Sequence, residues 1–372
     1  MPARSPRVFL SAGEPSGDLH GGPVVRELRT LLPGIAIDAL GGKGIAAAGA
    51  TIRYPMERYS AFGLVEVLGS IPAHLRLLRT LTNEFRAGVY DLALLIDYPG
   101  FNVRVAEAAH RHGVRVLYYV APQLWAWRPG RARRLAGAVD RLAAVLPFEP
   151  AFFARHGIRA EYVGHPLLDR PPLPARRAAC DALGIGPDER VLGLFPGSRV
   201  QETSRLWGPF REAALRLLRD GRCDRVVVAG TPTGSYPGAE PFLLHRGAPE
   251  RVFAASNAAL AKSGTTTLEA ALADLPMVVA YRVHPLTSVM ARWLITVPWI
   301  SLVNLVADAG VVDELTQGAV TPDRLVESVA PLLDPDHQKT RTQREGLRLV
   351  RDRLNGGGAA GRVAAMAAEL LG

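Results

Sequence analysis

The apolar positions of this chain fall into short runs without alternation, separated by glycine-bearing loops and by stretches of helical period. Leu92 to Ile96 is the clearest run, and an unbroken apolar pentad is the pattern of a strand covered on both faces of a parallel sheet. Arg7 to Ala12, Ile35 to Leu40, Val114 to Val120, Leu142 to Leu146 and a short piece at Glu161 to Val163 read as further strands. Helices are expected from about Leu19 to Leu32, through Ala48, from a Ser70 cap with Pro72 in the first turn to Phe85, and from near Asn102 through Ala108. Strand, glycine loop and helix in succession predict a doubly wound α/β domain.

Pro166, Pro171, Pro172 and Pro174, mixed with arginines, read as a linker. The pattern then restarts with strands at Val191 to Phe195, Arg225 to Gly230, Ala258 to Lys262 and Pro276 to Tyr281. Thr231 to Glu250 is rich in Gly and Pro and predicts no element. Beyond Asn304, a helix carrying Asp313, Glu314 and Gln317 is expected, followed by helical stretches from Thr321 to Leu333 and from Arg341 onward. The expected division is an N-terminal Rossmann-like domain over 1–168, a second over 169–340 and a C-terminal helical segment over 341–372.

Composition narrows the function classes. Two cysteines, Cys180 and Cys223, exclude a disulfide framework and a thiolate zinc cluster and suit a reducing, cytoplasmic setting. The start of the chain lacks the apolar core of a signal peptide. The longest uncharged stretch, Trp293 to Ala307, is about fifteen residues and broken by Pro298 and Asn304, too short to span a bilayer. A net charge of +9 favours an anionic partner: nucleic acid, phospholipid or a phosphorylated substrate.

Several places carry candidate chemistry. Asp97 follows the Leu92 to Ile96 strand, at the edge where open α/β sheets place ligands, and it is either a working carboxylate or a cap of the next helix. Gly42, Gly44 and Ala47 match a weak dinucleotide fingerprint after a short strand, with Glu66 the only acid near the required offset. Leu64, Val65, Val67, Leu68, Ile71, Leu75, Leu78 and Phe85, with Leu77 and Leu81 beside them, present more apolar surface than one amphipathic helix needs. Flanked by Arg76, Arg79 and Arg86, that surface either packs on the sheet or meets acyl chains. Trp125 and Trp127 beside Arg128, Arg131, Arg133 and Arg134 form either a packed loop or an interfacial and phosphate-binding surface. His165 has no second ligand at metal spacing, so a metal site is not expected. Ser263-Gly264-Thr265-Thr266-Thr267 at a helix start offers amides, hydroxyls and a dipole end to a phosphate. Asp334-Pro335-Asp336 sits between helices and reads as a turn. Arg341, Arg344, Arg348 and Arg351 share a helix face that is either solvated or drawn to an anionic bilayer or a partner subunit.

Eight blocks, in order, carry a resemblance: SAGEPSGD from Ser11, FGLVEVL from Phe62, IDYPGFN from Ile96, YYVAPQLWAWR from Tyr118, LPFE from Leu146, YVGHPLLD from Tyr162, FPGSRVQE from Phe195 and SGTTTLEAAL from Ser263. Together they make the chain similar to the lipid-A-disaccharide synthases. The resemblance implies a GT-B fold, with two doubly wound domains facing a cleft and C-terminal helices that pack back on the N-terminal domain. It implies an inverting, metal-independent glycosyltransferase without a cofactor, acting in lipid A biosynthesis. The donor would be UDP-2,3-diacylglucosamine and the acceptor 2,3-diacylglucosamine 1-phosphate (lipid X), with the tetraacyl disaccharide 1-phosphate and UDP as products. A UDP-N-acetylglucosamine 2-epimerase, or a transferase to a different lipid, is the alternative reading.

By the same resemblance Asp97 is the general base on the acceptor 6-hydroxyl. Substrate contacts are expected from Glu14, Ser16, Asp18, Asn102, Gln123, Trp125, Ser198, Arg199, Glu202, Ser263, Gly264, Thr265, Thr266, Glu269, Asn304 and Gln317, and lipid contacts from Leu64, Val65, Val67, Leu68, Ile71 and Leu75. Asn304, Glu314 and Gln317 match a block without an assigned chemical role. Gly100 stands where some relatives carry a second aspartate. The expected setting is cytoplasmic and peripheral at the inner face of the membrane, without nucleic acid, and with a homodimer left open.

Overall fold

The computed structural model describes residues 5–59, 64–126, 130, 132–232, 234–247, 249–283 and 297–372. The chain folds as two compact units, Met1–Arg170 with Asn355–Gly372, and Pro171–Leu354. The segment expected as a separate C-terminal piece from 341 is divided: helix Gln338–Leu354 belongs to the second unit and helix Ala359–Leu371 to the first.

The first unit holds strands β1 (Arg7–Ser11), β2 (Ala36–Gly41), β3 (Thr51–Pro55), β4 (Leu92–Ile96), β5 (Arg115–Tyr119), β6 (Arg141–Ala144) and β7 (Ala160–Tyr162), in the order β3-β2-β1-β4-β5-β6-β7. Its helices are α1 (Pro15–Leu31), α2 (Lys43–Ala47), α3 (Leu64–Arg86), α4 (Pro99–Arg111), α5 (Ala132–Ala136) and α6 (Glu149–Ala154), and the final helix Ala359–Leu371 packs on α1. Every pairing is parallel, and all five residues of β4 are buried, as the apolar pentad predicts. Helix α3 starts earlier than Ser70 and runs through Pro72, which lacks an N–H to donate to the turn before it. Its buried row is Leu77, Leu81 and Phe85, while Ile71 and Leu75 remain 41% and 43% exposed. The side chains of 64–70 lie outside the described residues, and so do the expectations for Leu64, Val65, Val67 and Leu68.

The second unit repeats the plan with β8 (Val191–Phe195), β9 (Arg225–Gly230), β10 (Leu243–Arg246), β11 (Ala258–Lys262), β12 (Met277–Tyr281) and β13 (Asp313–Thr316), ordered β10-β9-β8-β11-β12-β13 and again parallel. Helices α7 (Arg176–Leu183), α8 (Val200–Arg219), α9 (Glu250–Ala255) and α10 (Thr265–Leu272) cover it, with further helices at Leu302–Ala307, Pro322–Val329 and Gln338–Leu354. Asp313 to Thr316, expected as helix, is a strand paired with β12 at the edge of the sheet formed by the described residues; its residues are all half-buried, so they leave no apolar alternation to read. The Gly- and Pro-rich stretch after β9 is also built. Tyr236 accepts from the Thr231 amide at 3.0 Å, the Trp207 indole donates to the Pro237 carbonyl at 2.9 Å, and β10 follows.

In each unit the strand order reverses once. Strands β1, β2 and β3 step one way and β4 is laid on the other side of β1; likewise β8, β9 and β10 step one way and β11 is laid against β8. Such switch points open a crevice beyond the carboxyl ends of the two strands, which is where α/β sheets take their ligands.

Candidate functional site

At the first switch point β4 delivers Asp97 and Tyr98, and both hold left-handed backbone angles, φ 47° and 52°. Two consecutive non-glycine residues in that region cost of order 1–3 kcal/mol each and persist only where the surroundings impose them. The surroundings here are specific. Buried Asn102, in the first turn of α4, donates to the carbonyls of Ser11 (3.3 Å), Ile96 (3.1 Å) and Asp97 (2.8 Å), and its own oxygen accepts from the Ser11 hydroxyl at 2.6 Å. The hydroxyl of Tyr118, next to last in β5, donates to the same Asp97 carbonyl at 2.7 Å. The Asp97 amide donates across to Tyr119 at 2.9 Å. Thus the backbone of Asp97 is pinned on three sides, and its half-buried side chain stands at the sheet edge. Tyr98 folds over Gly13, where a Cβ would lie 2.4 Å from the ring, and bonds the Tyr59 carbonyl at 2.9 Å and His74 at 2.5 Å. Burial and the nearby Glu14 push the Tyr98 phenol up to about 12.

The other expected residues of this edge divide. Half-buried Glu14 precedes α1, and Ser16 is exposed in its first turn. Asp18 does not face outward. Its carboxylate accepts from the amides of Gly42 (2.8 Å), Gly44 (2.8 Å) and Ile45 (3.1 Å), capping α2 with the aspartate of another helix. Those amides are the ones a dinucleotide pyrophosphate would need, so the Gly42-x-Gly44 fingerprint is occupied from within. Asn102 likewise spends every polar atom on the framework under Asp97. Gln123 is exposed, but Trp125 is buried, donates to Glu149 at 3.0 Å and stands edge-on to Phe148. Buried Glu149 also accepts from the Val145 and Leu146 amides at 3.0 Å each, and burial raises its pKa to about 7 against those hydrogen bonds. Trp127, Arg128 and Arg131 lie outside the described residues. His165 accepts from the Leu167 amide at 3.2 Å and caps the short turn Pro166–Asp169.

At the second switch point β8 runs into Gly197, at φ 115°, then into exposed Ser198 and Arg199 before α8. Glu202 reaches back to the Arg199 amide at 3.4 Å, and its carboxylate lies where a Gly197 Cβ would stand, 2.8 Å away. Neighbouring β11 ends in Lys262, whose ammonium meets Glu202 at 2.9 Å. Then come Ser263 and Gly264, at φ 153°, and α10. The hydroxyls separate by role: Ser263 donates to the Ile300 carbonyl at 2.8 Å and Thr267 to the Gly264 carbonyl at 2.8 Å, so both are used inside the fold. Thr265 is exposed and Thr266 half-buried, and these two remain beside the amides of the helix start, with Glu269 one turn on.

Asn304 is wholly buried. It donates to the Val312 carbonyl and to Glu314, both at 2.9 Å, and accepts from the amides of Val311 (2.8 Å) and Val312 (2.9 Å), which leaves none of its polar atoms for a ligand. Glu314 in turn holds the Ile300 and Ser301 amides at 2.8 Å each, so this pair pins the segment that Ser263 also grips. Gln317, at φ 49°, accepts from the Val283 amide at 3.4 Å. Of the arginine stripe, Arg351 and Arg344 lie 3.4 and 3.9 Å from Asp274 within this unit. Asp336 donates its amide to the Asp334 carboxylate at 2.9 Å, the turn the sequence predicts.

Sequence reasoning missed Tyr118, Ser11 and Lys262 as members of these edges. Lys262 had a signal: it is the one cation directly before the Ser263 to Thr267 run.

The family profile described as lipid-A-disaccharide synthetase matches residues 8–357. The chain belongs to that family. It is 40% identical over 380 residues to the lipid-A-disaccharide synthase of Anaeromyxobacter sp. (strain K), covering all of this chain and 98% of that one. Among solved structures it is similar to the glycotransferase of kitacinnamycin (TM-score 0.64, 17% identity, 99% of this chain and 100% of that one). It is also similar to a UDP-GlcNAc 2-epimerase from Neisseria meningitidis bound to UDP-GlcNAc (TM-score 0.60, 13% identity, 98% and 99%). Transferase and epimerase share this GT-B fold, so the fold does not choose between them; the full-length sequence match does, and it supports the glycosyltransferase. No helix among the described residues is long and apolar enough to cross a membrane.

Proposed function

We propose that this glycosyltransferase moves 2,3-diacylglucosamine from UDP-2,3-diacylglucosamine to the 6-hydroxyl of 2,3-diacylglucosamine 1-phosphate, with Asp97 as the general base. The observation that carries the assignment is the pinned left-handed turn at Asp97, at the switch point of the first unit. A sugar hydroxyl is a poor nucleophile, and a fixed carboxylate takes its proton as the new C–O bond forms, a role worth about 10²–10⁴ in rate. With Gly100 three residues on, one acid and not two stands in this turn.

The second unit holds the UDP. Its support is the pair of helix starts at one switch point, with Ser198 and Arg199 after β8 and Gly264, Thr265 and Thr266 after β11. Glu269 accepts the ribose hydroxyls, and Arg199 meets the charge that develops on the leaving diphosphate. Ser16, Glu14 and Gln123 contact the acceptor. Ile71 and Leu75, exposed on α3 beside exposed Arg76 and Arg79, dock acyl chains at the inner face of the membrane. The test is release of UDP from the acyl donor with and without the acceptor phospholipid: release only with acceptor supports transfer, and release without it indicates hydrolysis. Turnover of UDP-N-acetylglucosamine alone would instead indicate an epimerase.

A further inference from the structure

Lys262 is the residue that the proposed donor site leaves unexplained. It ends β11, which lies beside β8 at the switch point of the second unit, and it stands between the two loops given to the diphosphate. Its ammonium is 2.9 Å from Glu202, with side chains 22% and 19% exposed, and it lies 3.5 Å from the position a Gly264 Cβ would take. A lysine whose only task was to neutralise Glu202 has no need to lean over a glycine that opens an α-helix. Gly264, at φ 153°, leaves the space above the helix start clear, and Lys262 points its charge into that space.

The surroundings are cationic beyond this pair. Arg199 follows β8, Arg205 lies on α8 and Arg282 follows β12, with its guanidinium reaching the Arg205 and Gln317 carbonyls at 3.4 and 3.3 Å. Glu202 ties both loops together, through the Arg199 amide and Lys262. On the elements that meet at this edge Lys262, Arg199, Arg205 and Arg282 outnumber Glu202 and Glu269, the setting for a ligand that brings more than one negative charge.

Resting on the reading of this unit as the UDP holder, we propose that Lys262 binds the β-phosphate of the nucleoside diphosphate, with Glu202 orienting its ammonium while the site is empty. In transfer, the bond between the anomeric carbon and the β-phosphate oxygen breaks and its electron pair stays on that oxygen. The acceptor oxygen bonds to the same carbon, and its proton goes to Asp97. Lys262 sits where the departing oxygen gains its charge, so it serves donor binding and leaving-group departure together.

The experiment compares UDP with UMP, which lacks the β-phosphate, by calorimetric titration of the intact protein and of Lys262→Met, Lys262→Arg and Glu202→Gln, with melting temperature measured for each. Expected are a loss of UDP affinity of about tenfold to a hundredfold in Lys262→Met with UMP affinity within about threefold, and substantial recovery of UDP binding in Lys262→Arg. Glu202→Gln removes the carboxylate that orients the ammonium and is expected to weaken UDP less than Lys262→Met does, with UMP affinity within about threefold. Equal losses for UDP and UMP in Lys262→Met make the pair a strut and overturn the proposal. Unchanged UDP binding in Lys262→Met also overturns it while leaving the donor site in place. Absence of UDP binding by the unaltered protein overturns the donor-site reading, and Lys262 falls with it.

Discussion

The proposed chemistry at the switch point after β4 rests on one side chain, whereas that proposed at the switch point after β8 and β11 rests on backbone amides, short hydroxyls and a lysine. The first edge spends its polar side chains on shape: Asn102, Ser11 and Tyr118 all bond to main-chain groups or to one another beneath Asp97. The second spends glycine: Gly197 and Gly264 hold φ 115° and 153°, and the missing Cβ of Gly197 makes room for the Glu202 carboxylate. A proton acceptor must be held in one place to be useful, so its support is strained and rigid. A diphosphate is large and charged all round, and several modest donors converging on it serve better than one exact contact.

The comparison breaks most sharply at Asp97. Asp97→Asn is expected to lower kcat by about 10² or more while UDP affinity stays within a few-fold, read by UDP release and by calorimetry. Unchanged turnover would remove the base from this turn altogether.

Asp18 is the contrasting carboxylate of the same unit. Because it satisfies three buried amides, Asp18→Ala is expected to cost roughly 3 kcal/mol of stability, measured by denaturant unfolding. Turnover per folded molecule should move far less than in Asp97→Asn. A variant of native stability with lost turnover would return Asp18 to the substrate.

Tyr118→Phe keeps the buried ring and deletes only the bond to the Asp97 carbonyl, so kcat should fall about tenfold with little change in KM. Thr266→Val at the second edge should do the reverse, weakening UDP about threefold to tenfold while the turnover of bound donor changes less. If both variants shift the same constant, the division of labour between the edges is wrong.

The smallest effect concerns Glu149. Its pKa is raised by burial from 4.5 to about 7, so the unfolded chain gives up this proton at lower pH than the folded one. The stability it lends is complete below about pH 4.5 and is lost as pH rises through about 7. A melting-temperature series over that window should decline in the unaltered protein. In Glu149→Gln it should flatten at a lower level, because the amide cannot accept from all three of Trp125, Val145 and Leu146.

Both sheets were legible as apolar runs, since a strand buried on two faces leaves a mark that local composition cannot imitate. The strands that escaped, β3, β10 and β13, share one cause: each lies at a sheet edge, half-buried, with charged residues such as Arg53, Arg246 and Asp313 in place of an apolar run. Asp97 and the Ser263 to Thr266 loop stand out in the sequence by their place after a strand, whereas Ser198 and Arg199 are proposed through the resemblance of their block. Asn102, Asp18 and Asn304 were read as contacts to a ligand because a polar residue in a motif gives no sign of its partner. Their partners are amides and carbonyls brought close by the fold, including Gly42 for Asp18 and Ser11 for Asn102. The exposed Ile71 and Leu75 were legible as surplus, although the face that buries Leu77, Leu81 and Phe85 depended on where the helix begins.

The amides of Gly42, Gly44 and Ile45 converge after β2 as they would on a bound anion, and a neighbouring helix of this unit supplies that anion itself, through Asp18. A niche filled by the protein's own carboxylate cannot compete for free nucleotides, so the first unit is left to a different kind of guest.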